Sequence, residues 1–397
     1  MHQIALDVLP FATASKGKRT RPTVALPTAL RYRRFSYGNS VLEKDGAIWR
    51  MQIRENGYYA GGFAIGRLLD LADYPGVKFC RSAATTKIFA LLHRLIGKKF
   101  SDIRIPERYL DELHGYADAT GIAYKTLFTV NFVFDVLKRY GMHCSSVVVS
   151  EPGATMIGRN TDLLPWLGRL ALKWFPSIVM DVATPGKLRY VHVTPALFLG
   201  AFNGYNERGL AVMSHQIGAT KEKPVQGNLA TTLLQRMLLE EAGDLAEAES
   251  ITRANPVQRC ISNLIVSTKE RESCVFEISP TLVKIFPGTG SYQCCVTHFE
   301  DAELSPLHRK APEASRSRLK LMNSIAAKAR ARVNDLIALL KNCDNGISHK
   351  DSGRSPTNAG TYQSLVFDIL KRRIFVADGP SLPVSLSGTY REIAVGI

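Results

Sequence analysis

The stretch GMHCSSVVVSEPGATMIGRNTDL, residues 141–163, decides how the rest of the chain is read. From Cys144 onward the side chains repeat with period two. They stop at Pro152–Gly153, a turn dipeptide, and resume as a second alternating run, which predicts an antiparallel hairpin over Cys144–Leu163. In such a ribbon the returning Arg159–Asp162 comes back beside the starting Cys144. A thiol, a guanidinium and a carboxylate are thus brought to one end of two strands. Taken alone, Cys144 reads equally as a small buried strand residue, because unpaired cysteines are commonly interior.

Upstream the period is different. Leu42–Ile53 alternates as a strand and leads into the glycine-bearing ENGYYAGGFAIG at 55–66. Residues 85–140 then repeat at helical spacing, with Ile88, Leu91 and Leu92 on one stripe and Leu110 and Leu113 on another. Residues 1–35 read as a basic, weakly ordered lead-in, residues 36–143 as a mainly helical segment, and residues 144–397 as a strand-rich segment expected to carry both sheets. Downstream, hairpins are predicted at Ile178–Thr194 and Phe198–His215. A helix is expected near Leu234–Leu238, and strands over Ile261–Ser267, Cys274–Glu277, Val283–Phe286 and Gln293–Val296. One long helix is expected to carry Leu321, Ile325, Val333, Ile337 and Leu340, and two strands, Tyr362–Asp368 and Ile374–Asp378, precede a tail. Helices before, between and after a block of strands predict an α+β sandwich rather than alternating βαβ units.

Composition narrows the class. The 397 residues are 45% hydrophobic and 22% charged, which are globular values. No apolar run reaches the length of a spanning helix, and no secretory signal is expected at the start. Seven cysteines without CxxC spacing suggest neither a disulfide scaffold nor a zinc site. A reducing cytoplasm is the expected compartment. Fifty-one Lys and Arg against 35 Asp and Glu leave a charge of +16, with 22 basic and 12 acidic side chains in residues 1–143. That surplus suits an anionic surface, but without a nucleic-acid-binding motif no specific nucleic acid is expected as partner. His215, His298 and His308 lack metal-ligand spacing; no metal and no cofactor are expected.

Gly141–Ser146, Gly158–Asp162 and Gly204–Val212 together resemble the penicillin acyltransferase and choloylglycine hydrolase group of N-terminal-nucleophile hydrolases. Tyr59–Gly62 with Gly66, Tyr109–Gly115, Asn131, Thr361–Val366 and Phe375–Pro380 fit its acyltransferase branch. The resemblance implies a four-layer αββα sandwich of two antiparallel sheets flanked by helices, built from both halves of the chain as one composite domain. It also implies cleavage of the His143–Cys144 bond by the Cys144 thiol, which frees an α-amine on the nucleophile itself. The small-molecule amide or acyl donor would acylate Cys144, and the cleaved N-terminal fragment would stay bound as a partner.

Carried over position by position, the resemblance makes Cys144 nucleophile and its amine the base, Asp162 the partner of that amine, and Arg159 the holder of thiol and carboxylate. Arg318 matches a late arginine of the group, with Arg316 as its rival. Where the group has Asn-His-Phe this chain has Thr297-His298-Phe299, so the oxyanion donor falls to the Thr297 hydroxyl or to Gln216. A helix over Leu163–Pro176 follows the site directly. Leu163, Trp166, Leu167 and Leu170 are its candidate substrate-binding residues, and the apolar lid they form favours a long-chain or aromatic acyl group, drawn from an anionic membrane surface. The loss of the asparagine keeps a second reading open, a degenerate member that binds a lipid or peptide without turnover.

Overall fold

The computed structural model describes residues 32–136, 143–218, 220–347 and 353–396. The N-terminal part runs β1 (Tyr32–Tyr37), β2 (Ser40–Asp45), β3 (Ile48–Ile53), α1 (Tyr58–Leu71), α2 (Pro75–Arg81), α3 (Ala83–Phe100), β4 (Ile103–Arg104), α4 (Glu107–Thr120) and α5 (Tyr124–Val136). Next come β5 (His143–Glu151), β6 (Ala154–Asp162), α6 (Pro165–Trp174), β7 (Ser177–Val182), β8 (Tyr190–Pro195), β9 (Asn203–Asn206) and β10 (Leu210–Gln216). They are followed by β11 (Asn228–Leu229), α7 (Thr231–Glu241), α8 (Leu245–Ala254), β12 (Ile261–Ser267), β13 (Glu272–Ile278), β14 (Val283–Pro287) and β15 (Tyr292–Cys295). The chain closes with α9 (Glu313–Ala326), α10 (Val333–Lys341), β16 (Thr361–Asp368), β17 (Arg373–Asp378), α11 (Val384–Ser387) and β18 (Thr389–Ala394).

Two large sheets form. One has ten strands in the order β1-β2-β3-β7-β8-β9-β10-β12-β13-β14, and the other six, β15-β5-β6-β16-β17-β18. Period-two alternation decides what each face meets. Val148 and Ile157 of the smaller sheet pack against Val179, Val191, Met213 and Leu264 of the larger one. Their neighbours Val147, Val149 and Met156 point the other way, onto Leu319 and Met322 of α9 and Leu336 and Leu340 of α10. On the far side of the larger sheet, Met51, Met180 and Val212 pack under Leu68, Leu113 and Leu233 of α1, α4 and α7. Three apolar seams separate four layers, helix, sheet, sheet, helix, as the family resemblance implies.

Several particulars differ from that expectation. The larger sheet is not wholly antiparallel, because β3 pairs with β7 in parallel. Nor does it come only from residues after Cys144, since β1, β2 and β3 form one edge of it. The expected single strand over Leu42–Ile53 is two, turning at Gly46, which has φ 63°. Tyr32–Phe35 belong to β1, so the lead-in is shorter than 1–35; its residues 1–31 lie outside the described residues.

The glycine-bearing segment at 55–66 is mostly the helix α1. A Cβ on Gly62 would lie 2.0 Å from the Glu112 carbonyl oxygen, and one on Gly115 would lie 2.2 Å from that of Tyr59. These glycines let α1 and α4 touch backbone to backbone; here they mark close packing, not a turn. The long helix expected near the end is two helices. Its break at 327–332 is held by Asp335, whose carboxylate accepts from the Arg330 amide. The tail folds as α11 and β18.

Candidate active site

Cys144 is the second residue of β5 and lies opposite Thr161 of β6. It shares the inter-sheet face with Val148, as Arg159 does with Ile157, so strand alternation alone brings thiol and guanidinium together. Arg159 Nη2 donates to Cys144 Sγ at 3.2 Å and to the Ser214 carbonyl at 2.7 Å, and Nη1 donates to Ser146 Oγ at 3.3 Å. Arg159 is fully buried and its Nε has no partner. Burial pushes the Cys144 thiol above its ordinary value, and the Arg159 charge acts against that.

Asp162 lies at the end of β6, opposite His143. Its Oδ1 accepts from Thr361 Oγ1 at 2.6 Å, whereas Oδ2 is buried with no partner. Burial raises this carboxyl to about 6, against the pull of the Arg318 guanidinium. His143, just ahead of the nucleophile, is exposed.

Arg318, on α9, is fully buried, while Arg316 faces an open surface groove. Arg318 Nη2 donates to Thr297 Oγ1 at 2.9 Å, and its Nε and Nη1 are buried without partners. Since the guanidinium supplies the donor, the Thr297 hydroxyl proton is free to point elsewhere; its next contact, Ser315 Oγ, is 3.4 Å away. Thr297 comes two residues after β15, whose last pair is Cys295 with Ser146, and the strand is heading toward Cys144. Geometry therefore favours Arg318 over Arg316 and brings Thr297 to the nucleophile's end of the sheet.

Gln216 is not brought in. It pairs with Ile261 and shares its strand face with Val212, under the helices, while His215 takes the inter-sheet face. Its Oε1 is buried and unpartnered, but on the far side of the strand from Cys144.

The lid expectation is met in part. A cavity of about 270 Å³ is lined by Leu163, Leu167, Leu170 and Trp174, with Phe89 and Val133 opposite. Trp166 is a correction: it is 57% exposed and takes no part in the lining. Leu163 precedes α6; within the helix Leu167, Leu170 and Trp174 share one side, and Trp166, one turn before Leu170, sits at its solvent edge.

Tyr362 also lines this cavity, and sequence reading did not single it out. It sits where the β16–β6 ladder shifts register between Thr361 and Gln363. That irregularity places Thr361 on Asp162 while Tyr362 faces the cavity. Burial, and the charge of Cys144 next after it, raise the Tyr362 phenol, so the residue lies between the apolar cavity and the thiol. Ser146 and His215 were missed too; only the packing of β5 upon β10 across the two sheets brings them together.

The sequence model of the family described as acyl-coenzyme A:6-aminopenicillanic acid acyl-transferase matches residues 149–379. The chain belongs to that family. That family is one of acyl-transferring enzymes. The match begins at Val149, near the far end of β5 and past Cys144, and runs to the end of β17. No curated protein sequence matches the chain. Among solved structures it is similar to an ortholog of N-acylethanolamine-hydrolyzing acid amidase from Caenorhabditis elegans, at 16% identity over 57% of this chain and 93% of that one, TM-score 0.41. It is also similar to penicillin V acylase from Agrobacterium tumefaciens, at 14% identity over 63% of this chain and 86% of that one, TM-score 0.41. A mutant of conjugated bile acid hydrolase from Clostridium perfringens is similar at 11% identity over 63% and 92%, TM-score 0.41.

Proposed function

We propose that Cys144 is the nucleophile of an acyl-transfer reaction and that it is unmasked by self-cleavage of the His143–Cys144 bond. One observation carries this reading: a buried thiol held at 3.2 Å by a buried arginine that has no carboxylate to pair with. An unpaired guanidinium in a dry interior stabilises negative charge on its neighbour, which is what a thiolate needs. In maturation, Sγ attacks the His143 carbonyl carbon and the C–N bond breaks. Water then resolves the thioester, leaving a carboxylate on His143 and an amine on Cys144. The ionised form of Asp162, with its free Oδ2, suits that amine as a partner. The amine takes the thiol proton in the next reaction, so no separate histidine base is required.

In turnover, the acyl carbonyl of an amide donor is attacked by Sγ. The Thr297 hydroxyl, polarised by Arg318, serves as oxyanion donor in place of an amide side chain. The leaving amine takes a proton, and water or a second amine releases the acyl group. The acyl chain lies in the cavity beneath α6. At about 270 Å³ and lined by aliphatic and aromatic side chains, the cavity suits a long-chain or aromatic acyl group. The two fragments remain joined after cleavage through the β3–β7 ladder and the Arg236–Glu112 pair. The reaction needs a free thiol, which suits a reducing compartment such as the cytoplasm.

An anionic membrane surface is proposed as the source of the donor. Ile88, Leu91 and Leu95 stand on one face of α3, exposed at 63%, 57% and 72%. Helices α3 and α6 carry Lys87, Arg94, Lys98, Lys99, Arg169 and Lys173 and no acidic residue. They flank the cavity, with Phe89 on one side and Leu170 on the other. Among the described residues no helix is long and apolar enough to cross a membrane.

Intact mass and N-terminal analysis of the purified protein beside Cys144→Ala tests the nucleophile. Wild type is expected as two chains, the second beginning at Cys144, and the variant as one. A variant that splits at the same bond removes Cys144 from the role. A wild type that stays whole and leaves amide donors intact favours the non-catalytic binding reading instead.

A further inference from the structure

Arg159 holds the thiol, but little holds Arg159. Its Nε is unpartnered, and no carboxylate pairs with it among the described residues. Two contacts besides Sγ orient the guanidinium: the Ser214 carbonyl on Nη2 and the Ser146 hydroxyl on Nη1. Ser146 in turn lies 2.9 Å from His215 Nε2, and His215 Nδ1 lies 3.0 Å from the Ser262 carbonyl and 3.3 Å from Cys295 Sγ. Ser146 and His215 are both fully buried, in the seam between the two sheets.

The direction of this chain follows from the donors available. The Ser262 carbonyl only accepts, so the imidazole proton sits on Nδ1. The Cys295 thiol is turned toward the Val296 carbonyl and leaves its sulfur as a second acceptor. With Nδ1 protonated, Nε2 is an acceptor and takes the Ser146 hydroxyl proton. The Ser146 oxygen is then obliged to present its lone pairs to Arg159 Nη1. Burial and the Arg159 charge hold His215 neutral, which keeps this order. A cationic ring would donate from Nε2, reverse the serine and set two cations together.

We propose that Ser146 and His215 are positioning residues that aim the Arg159 guanidinium at Cys144 through a one-way chain of hydrogen bonds running from the Ser262 carbonyl. Neither touches substrate. Their effect is on the fraction of Cys144 present as thiolate and on where that sulfur points. The inference rests on Cys144 being the nucleophile, since otherwise there is nothing for Arg159 to activate.

The test is the pH profile of iodoacetamide alkylation at Cys144, read by peptide mass spectrometry, together with kcat and KM for one amide donor. Wild type, Ser146→Ala, Ser146→Thr and His215→Phe are compared. Removing the hydroxyl is expected to raise the apparent alkylation pKa of Cys144 by roughly one pH unit, which is about a tenfold loss of thiolate at a given pH. Turnover, kcat, should fall about tenfold with KM within about twofold, since the loss is in thiolate and not in binding. Ser146→Thr, which keeps the hydroxyl, should restore both. His215→Phe should behave as Ser146→Ala does.

If His215→Phe does not fold, the serine pair decides alone. A Ser146→Ala enzyme with the wild-type alkylation profile overturns the proposal, even when its kcat or melting temperature has dropped. A wild type whose Cys144 is not alkylated at any pH and that turns over no donor fails earlier, at the nucleophile itself, and takes this proposal with it.

Discussion

The molecule buries arginines in two places and treats them oppositely. Between α1, α4 and α7, Arg236 meets Glu112 through two bonds, at 3.0 and 2.5 Å, Glu240 at 2.8 Å and the Leu199 carbonyl at 2.9 Å, so every nitrogen has a partner. At the nucleophile, Arg159 and Arg318 are as deeply buried, yet Nε of the first and Nε and Nη1 of the second have none. Burying a charge without a counter-charge is costly, and a chain keeps such groups where the unspent donor capacity acts on something else. The saturated cluster pins the segment before Cys144 to the segment after it. The unsaturated pair faces a thiol, a hydroxyl and a half-satisfied carboxylate. The difference separates a group that holds the fold from groups poised to hold a reacting one.

The sharpest way to break this comparison is to exchange outcomes between the two regions. Arg159→Met and Thr297→Val are each expected to lower kcat/KM by ~10²–10³ while leaving the melting temperature nearly unchanged. Thr297→Ser should retain activity. Arg236→Ala should do the reverse, costing about 3–5 kcal/mol of stability by stranding two buried carboxylates, with turnover per folded molecule little altered. Denaturation curves and steady-state kinetics on the same preparations give both numbers. Equal destabilisation by Arg159→Met and Arg236→Ala would erase the distinction.

A smaller effect concerns acid. In the uncleaved Cys144→Ala chain, Asp162 holds its proton up to about 6, against 3.8 for an unperturbed carboxyl. The folded state therefore binds more protons than the unfolded state between those values, and stability contributed by Asp162 is complete below 3.8 and lost as pH rises through 6. Asp162→Asn on that background should flatten the decline, as measured by urea denaturation from pH 4 to 7. An unchanged slope would mean that the carboxyl is not desolvated.

Smaller still are changes to the cavity wall. Leu167→Trp should shift preference toward shorter acyl donors by about tenfold per few carbons removed, within the discrimination an apolar pocket achieves. Trp166→Ala should leave soluble donors unaffected, because its ring is turned to solvent. Charge reversal at Lys98 and Lys99 should weaken co-sedimentation with anionic vesicles and leave turnover of a short soluble donor in place.

Much of this was legible beforehand. Period two over Cys144–Leu163 and the Pro152–Gly153 turn predict β5 and β6 closely, and the same hairpin puts Arg159 beside Cys144. The glycines of 55–66 gave no element, because a glycine in sequence does not say whether it permits a turn or a close approach. Gln216 was read as an oxyanion donor from its place at the end of β10, whereas one step of alternation turns it to the helix side. Trp166 was included because it is apolar and adjacent; it lies one turn before Leu170 at the edge of that face, and only the packing shows its ring turned to solvent.

By itself, the amino-acid order determined most of the local elements and the hairpin pairings of β5 with β6, β7 with β8 and β9 with β10. Those depend on turn chemistry and side-chain period, which are short-range. Only the tertiary structure decided that Thr297, Arg318, Tyr362 and His215 converge on Cys144 and its strand neighbour Ser146. They come from strands and helices far apart in the chain, and their meeting depends on sheet order, register and the packing of one sheet upon the other. A single residue's slip in any ladder would send the side chain to the opposite face, so no spacing along the chain encodes that convergence.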